Sequence, residues 1–97
     1  MRIIALGTLR TFWESHMDAQ GWLEAWYDHV SHVNWATPAD VQKDYGDDVI
    51  LPNNRAVFNV KGNRYRLVVK FEYKFQMVYI RFIGTHAEYD RIDVLTI

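Results

Sequence analysis

The chain has 97 residues, of which 49% are hydrophobic, 15% aromatic and 24% charged, a composition typical of a compact globular domain. It contains no cysteine, which excludes disulfides, thiolate zinc sites and a cysteine nucleophile and agrees with a reducing cytoplasm. No apolar run approaches the ~18–20 residues that a membrane span needs. We therefore expect one cytoplasmic domain over residues 1–97, with no metal or other cofactor and no membrane partner.

The formal net charge of −1 conceals a separation of charge along the chain. Residues 1–54 hold three Lys or Arg against eight acids, whereas residues 55–81 hold seven bases against Glu72 alone. The last sixteen residues carry one base and three acids. This asymmetry favours one anion-binding face on an otherwise acidic body. The alternative is a set of solvated cations on the open side of a sheet.

The N-terminal half predicts a strand followed by three helices. Residues 2–6 are a short β-branched run that ends at Gly7, and Thr8 is the expected N-cap of a first helix. Asp18 is expected to cap a longer helix, and Pro38 opens a short third helix that ends near Tyr45. The second helix has its apolar residues at helical spacing: Trp22, Leu23, Trp26, Tyr27, Val30 and Val33.

The C-terminal half changes to a period of two. After a loop over residues 46–54 we expect strands over residues 56–60, 64–73 and 77–83, joined by short turns into an antiparallel meander. On the third strand, alternation predicts Ile80 and Phe82 on the core face and Arg81 and Ile83 on the other. The expected fold class is α+β: a small, mostly antiparallel sheet, with the N-terminal strand added to the meander, packed against the N-terminal helices.

A capping box predicts the last helix. Thr85 and Glu88 have the S/T-x-x-E spacing, so a helix should run from His86 to about Asp93. Its beginning is expected close to Arg81.

Three cations on the open face of neighbouring strands indicate a phosphate site next to that helix. Arg66 and Arg81 present planar forks that fit phosphate oxygens, and Lys70 is a point charge. Asn59 and Asn63 can add neutral donors. For these two asparagines, hydrogen bonding within the strand and turn is an equal alternative.

His86 and Tyr89 lie three residues apart at the start of the predicted helix, and Asp90 follows, so the three can share one face. A histidine at a helix N-terminus lies in a positive field that favours the neutral imidazole, which suits proton transfer. Alternatively, His86 only fills the first turn and Tyr89 packs on the sheet.

Two other patterns indicate structure instead of chemistry. His29 and His32 beside Asp28 resemble half of a metal site, but no further ligands occur at a recognisable spacing, which favours a solvated helix face. Trp22 and Trp26 belong to the apolar stripe of the second helix and are expected in the core.

Two segments of the C-terminal half resemble the HigB family of bacterial toxins, within the RelE-like mRNA interferases. They are VFNVKGNRYRLVV (residues 57–69) and VYIRFIGTHAEYD (residues 78–90). The N-terminal half is similar only in pattern, with AWY (residues 25–27) and WATPAD (residues 35–40) as its nearest matches.

The resemblance implies a RelE-like fold and a toxin that cleaves translated mRNA in the A site of the 70S ribosome. It also implies a HigA-type antitoxin with a helix-turn-helix fold as the neutralising partner. By analogy, Arg66 and Arg81 would stabilise the phosphate, Lys70 would assist, and His86 or Tyr89 would move protons without a metal ion. The implied RNA-binding set comprises Arg64, Asn59, Asn63, Lys61 and Lys74.

Two other classes of function stay open at this stage. The chain could bind RNA or another anion without catalysis, so that His86 would matter little. It could instead be an interaction protein whose basic strand face docks an acidic peptide. Neither accounts for His86 and Tyr89 beside the arginines as well as a nuclease does.

Overall fold

The computed structural model describes residues 1–46 and 49–97, and these residues form four helices and a five-stranded mixed sheet. In chain order the elements are β1 (Arg2–Ile4), α1 (Leu6–Ser15), α2 (Gln20–His32), α3 (Pro38–Tyr45), β2 (Ile50–Leu51), β3 (Arg55–Val60), β4 (Tyr65–Glu72), β5 (Met77–Thr85) and α4 (His86–Tyr89). Short 3₁₀ turns at Met17–Ala19 and Tyr73–Phe75 precede α2 and β5.

The sheet order is β1-β5-β4-β3-β2, with β1 parallel to β5 and the other neighbours antiparallel. The buried side chains of α1, α2 and α3 pack with those of the strands into one hydrophobic cluster. Its fully buried members include Leu9, Leu23, Trp26, Val30, Val41, Phe58, Leu67, Val69, Phe71 and Val78. This arrangement confirms the predicted α+β class and the N-terminal strand added to a meander.

The start of the chain differs from the prediction. β1 ends at Ile4 and α1 begins at Leu6 with Ala5 as its N-cap residue, so Thr8 is not the cap. The apolar stripe explains the earlier start, because Leu6 packs against the core together with the fully buried Leu9, one turn later.

Asp18 is not the side-chain cap of α2 that we predicted. It lies in the 3₁₀ turn before the helix, and its carboxylate accepts hydrogen bonds from Arg64 and Tyr65. The competing partners come from the start of β4, 46 and 47 residues further along the chain, which sequence spacing does not reveal.

The third helix agrees with the prediction, and the loop after it does not. α3 runs from Pro38 to Tyr45, and Asp40 Oδ2 accepts from the backbone N–H groups of Thr37 and Ala36. Within the predicted loop over residues 46–54, β2 pairs with β3 in the register Ile50 to Ala56. Asp47 and Asp48 lie outside the described residues.

The meander strands begin and end within two residues of the predicted bounds, but β5 contains a bulge. Val68 pairs with Phe82 whereas Val69 pairs with Ile80, so Arg81 is an extra residue in β5. The prediction for Phe82 and Ile83 is therefore wrong. Phe82 lies opposite Val68 on the sheet face away from the helices, and Ile83 packs against the core.

The last helix starts as the capping box predicts and stops early. Thr85 Oγ1 accepts from the Glu88 N–H at 3.2 Å, and Glu88 Oε1 accepts from the Thr85 N–H at 2.8 Å. α4 ends at Tyr89 instead of near Asp93, since the following segment turns back over the sheet. There the Ile97 carbonyl accepts a 2.6 Å hydrogen bond from the buried Arg55.

Candidate nucleic-acid interface

The sheet face away from the helices, which we call the open face, carries two groups of polar and aromatic side chains. The Arg66 cluster consists of Arg66, Asn59, Asn63 and Tyr89. The Arg81 cluster consists of Arg81, Tyr79 and Lys70.

In the Arg66 cluster, two asparagine carbonyls and one aromatic ring hold the guanidinium group. Arg66 Nη1 donates to Asn59 Oδ1 and, at 3.3 Å, to Asn63 Oδ1. Its Cζ lies 5.8 Å from the centroid of the Tyr89 ring. The register explains the first contact, because Asn59 lies directly opposite Arg66 on β3. Both asparagine side chains therefore accept hydrogen bonds from Arg66, a role that was not predicted from the sequence.

Gly84 makes room for the aromatic support of this cluster. It pairs with Arg66 across β4 and β5, and a Cβ atom at this position would lie 2.6 Å from Phe82 Cζ. The Phe82 ring therefore occupies the space above Gly84, and its centroid is 6.4 Å from that of Tyr89. The residue type at 84 thus determines where the Phe82 ring, which neighbours Tyr89, can lie.

His86 is oriented by an acid on the next turn. Its Nδ1 lies 3.1 Å from Asp90 Oδ2, and both side chains are about half exposed or more. Where Nδ1 carries the proton and donates to Asp90, Nε2 is left as a proton acceptor. The backbone N–H of His86 also donates to the Arg64 carbonyl at 3.2 Å, which ties α4 to the start of β4.

The Arg81 cluster lies further along the same face. Arg81 Cζ is 5.2 Å from the centroid of the Tyr79 ring, and Tyr79 pairs with Lys70 across the strands. Arg81 is three residues from Gly84, the partner of Arg66, so the two arginines are separated by about 10 Å along β5. Each guanidinium group has its own aromatic neighbour. The structure therefore divides the predicted set of three cations into two clusters on one face.

Arg66, Lys70 and Arg81 form no ion pair with any residue in the described ranges 1–46 and 49–97. They are therefore available to neutralise an external anion.

Arg64 behaves differently from these three cations. It turns towards the helical side and pairs with Asp18, whose pKa is lowered by the hydrogen bonds from Tyr65 and Arg64. The same hydrogen bond raises the pKa of Arg64. Arg64, which the resemblance places in the RNA-binding set, precedes β4 and has its carboxylate partner on the helical side.

The remaining basic candidates lie at opposite ends of the strands. Lys61 is exposed in the β3–β4 turn with φ of 54°, beside Gly62, and so lies near the Arg66 cluster. Lys74 follows the other end of β4, about 20 Å along the strand from Arg66, with its Nζ 5.7 Å from the Phe75 ring centroid. These two lysines do not share a site.

Sequence reasoning assigned no role to Tyr79 or Phe82. The position of Tyr79 was predictable, since the alternation of side chains along the strand places Tyr79 and Arg81 on the same side of β5. Phe82 was not, because only the bulge brings it to the open face.

The histidines that resemble half of a metal site make two separate contacts with carboxylates. His29 Nε2 lies 3.4 Å from Asp44, and His32 contacts Asp28 on the exposed side of α2. Among the residues that the structure describes, no group of three or more His, Asp or Glu side chains is placed to hold a metal ion. Trp26 is buried in the core as expected, whereas Trp22 is half-buried at its edge.

Comparisons with known proteins identify the family. The family model HigB_toxin, described as the RelE-like toxic component of a toxin-antitoxin system, matches residues 19–92 of the 97-residue chain. The match includes β2 to β5 and every residue of the Arg66 and Arg81 clusters. A search of curated proteins finds no match. None of the helices in the described part of the chain has the length and apolar character to cross a membrane.

Proposed function

The chain belongs to the HigB family of RelE-like toxins, and from that premise we propose that it is a ribosome-dependent endoribonuclease that cleaves translated mRNA. Membership makes it the toxin of a toxin-antitoxin system, with an antitoxin as partner. The observation that carries the proposal is the position of Arg66. Its guanidinium group carries no ion pair to the described residues and lies 5.8 Å from the ring centroid of Tyr89, which is in the same helical turn as the His86–Asp90 contact.

RNA cleavage without a metal ion needs three kinds of group. The 2′-hydroxyl attacks the adjacent phosphorus, a base removes its proton, and an acid protonates the departing 5′-oxygen. A cation stabilises the extra negative charge on the pentacoordinate phosphorus. The products are a 2′,3′-cyclic phosphate and a free 5′-hydroxyl.

We assign the phosphorus charge to Arg66 and the proton transfers to His86 and Tyr89. With its Nδ1 bonded to Asp90, His86 has Nε2 free to accept the 2′-hydroxyl proton. The Tyr89 hydroxyl is the neighbouring donor for the leaving oxygen, and its ring holds Arg66 in place. In the reversed assignment the protonated His86 is the acid. The cleavage rate of Tyr89→Phe distinguishes the two assignments.

The Arg81 cluster binds the next part of the RNA backbone in this proposal. Arg81 lies against the Tyr79 ring and Lys70 lies opposite Tyr79, so both are displaced by about 10 Å along the strands from the Arg66 cluster. They therefore bind a neighbouring phosphate and set the direction of the strand. Asn59, Asn63 and Lys61 contact the RNA near Arg66, whereas Arg64 and Lys74 contribute less because one is neutralised and the other is distant.

The side chains of both clusters are exposed or half-buried, so the chain supplies few contacts that would fix an RNA strand on its own. The ribosomal A site would provide the missing orientation, which accounts for dependence on the 70S ribosome. The neutralising partner would be a HigA-type antitoxin with a helix-turn-helix fold. Both the cleavage of mRNA and its inhibition by the antitoxin would take place in the cytoplasm.

The test is incubation of the purified chain with a defined mRNA, with and without translating ribosomes, followed by mapping of the new RNA ends. We expect cuts with ribosomes only, and growth arrest when the chain is expressed without its antitoxin. Arg66→Ala and His86→Gln should abolish cleavage while the ribosome is still bound. If His86→Gln cleaves mRNA as the wild type does and Arg66→Ala does not, residues other than His86 transfer the protons. Ribosome binding without new RNA ends would favour the non-catalytic binding module.

A further inference from the structure

The helical side of the molecule contains a hollow between α2 and α3, which we call the α2–α3 hollow. It has a volume of about 380 Å³ and is lined by Trp22, Ala25, Trp26, His29, Asp44 and Tyr45. Its lining comes from the helical layer, and it contains none of the residues of the Arg66 and Arg81 clusters. Nothing in the proposed cleavage reaction uses it.

Aromatic rings form most of the wall. The ring centroids of His29 and Tyr45 are 5.6 Å apart with a T-shaped arrangement, and Trp22 and Trp26 complete the α2 side. Trp26 is 2% exposed and its indole Nε1 has no hydrogen-bond partner among the described residues. Aromatic faces attract cations, and Trp and Tyr do so more strongly than Phe.

One carboxylate lies in this aromatic wall. Asp44 Oδ2 accepts a 2.9 Å hydrogen bond from Trp35 Nε1 and lies 3.4 Å from His29 Nε2. The bond from Trp35 and the contact with His29 lower the pKa of Asp44, so the carboxylate is ionised at neutral pH. Its Oδ1 accepts no hydrogen bond from residues 1–46 or 49–97, and a ligand can use it.

The surrounding surface is acidic. α2 and α3 together carry Glu24, Asp28, Asp40 and Asp44 against the single base Lys43. This field attracts cationic side chains and repels RNA phosphates. A hollow with aromatic walls, one ionised carboxylate and acidic surroundings therefore selects a cation that has an apolar stem.

We propose that the α2–α3 hollow binds an arginine or lysine side chain of the antitoxin. The proposal rests on the antitoxin partnership that family membership implies and not on the nuclease activity. Among the proteins that a toxin meets, the antitoxin is the one that it must bind tightly, and a charge pair within an aromatic pocket is typical of a binding hot spot. The antitoxin would then have a contact on the layer opposite the open face.

The test is the affinity of the cognate antitoxin for full-length toxin variants, measured by titration calorimetry in an Arg66→Ala background that removes toxicity. Asp44→Asn keeps an acceptor for Trp35 and removes the charge, and we expect it to weaken binding about tenfold or more. Ala25→Arg places a cation at the exposed rim and should weaken binding by a similar factor. Asp28→Asn is the matched control, because it removes one acid from α2 outside the hollow.

A second measurement identifies the chemistry of the ligand. Nα-acetylarginine amide, titrated into ¹⁵N-labelled toxin, should shift the indole N–H signals of Trp22 and Trp26, and the neutral isostere Nα-acetylcitrulline amide should not. Asp44→Asn should abolish those shifts. Equal shifts with both compounds would overturn the cation assignment.

The proposal is overturned if Asp44→Asn and Ala25→Arg both bind the antitoxin with wild-type affinity, or if Asp28→Asn weakens binding as much as they do. It is also overturned if these variants lose ribosome binding while antitoxin affinity is unchanged, which would identify a ribosomal protein as the occupant. Failure of the mRNA cleavage assay would leave these measurements unaffected.

Discussion

The Asp18 carboxylate pairs with the Arg64 guanidinium across 46 residues of sequence and joins the turn before α2 to the start of β4. The Tyr65 hydroxyl donates to the other oxygen of the same carboxylate at 2.7 Å. One acid thus connects the acidic helical half of the chain to the basic strand that carries Arg66.

Asp18→Asn should lower the stability of the protein in a pH-dependent way. The hydrogen bonds from Tyr65 and Arg64 lower the pKa of Asp18 below its usual 3.8. The stabilisation that the carboxylate provides is therefore complete above about pH 4 and is lost as the pH falls through the lowered pKa. The urea midpoint, followed by tryptophan fluorescence, should differ between wild type and variant at pH 7, and the difference should be smaller at pH 2. A constant difference at both pH values would contradict this origin, and Glu14→Gln is the exposed control.

Gly84→Ala should destabilise the protein and disturb the Arg66 cluster. The new methyl group would lie 2.6 Å from Phe82 Cζ and 3.1 Å from Glu88 Oε1, so the Phe82 ring or β5 must move. Such overpacking costs about 1–3 kcal/mol, which thermal unfolding would measure. Gly21→Ala is the matched control, because a Cβ on Gly21 meets nothing within 4 Å and alanine favours a helix by about 0.5–1 kcal/mol. An unchanged melting temperature for Gly84→Ala would show that Phe82 moves without cost.

Tyr89→Phe and Tyr89→Ala should separate the two roles of Tyr89. Phenylalanine keeps the ring under Arg66 and removes the hydroxyl, whereas alanine removes both. If the hydroxyl is the acid, Tyr89→Phe should reduce single-turnover cleavage by about 10²-fold or more while mRNA and ribosome affinity stay the same. Tyr89→Ala should also weaken binding, since Arg66 loses its support. Cleavage by Tyr89→Phe at the wild-type rate would leave His86 as the acid.

Arg55→Met should release the end of the described chain from the sheet. Arg55 is 8% exposed and donates to the carbonyl groups of Ile97, at 2.6 Å, and Asn53, at 3.3 Å. Methionine retains the apolar stem and removes both bonds, at a cost of about 1–3 kcal/mol in unfolding free energy. Hydrogen exchange should become faster over residues 92–97 and change little in β4. The exposed Arg91→Met should leave exchange unchanged, and slow exchange in Arg55→Met would indicate that other contacts hold this segment.

Local signals in the sequence were strong enough to predict most of the elements. Pro38 and Asp40 predicted α3, and the Thr85–Glu88 capping box predicted the start of α4. The period of two predicted the ends of the meander strands to within two residues. The errors occurred where a distant partner was decisive. β2 consists of two residues and forms only because β3 lies beside it.

The candidate site was predictable in its composition and less so in its geometry. The segment VYIRFIGTHAEYD supplied Arg81 and the spacing of His86 and Asp90, and the preceding strand supplied Arg66 and Lys70. Three features were not predictable from the sequence. Arg66 and Arg81 lie in separate clusters, and Phe82 and Ile83 lie on the faces opposite to those predicted. Arg64 forms an ion pair with Asp18. Each depends on pairing between strands or on an ion pair between residues far apart in sequence. The role of each residue in cleavage stays a prediction.

By itself, the order of amino acids determined the α+β class, the family likeness and the basic segment, because periodicity, caps and charge are properties of neighbouring residues. Only the folded chain decided which cation pairs with a carboxylate among residues 1–46 and 49–97, and which aromatic rings lie beside Arg66 and Arg81. The one-residue bulge at Arg81 brings Phe82 to the open face, and the Asp18 carboxylate pairs with Arg64. Both contacts form only after strands and helices have packed together.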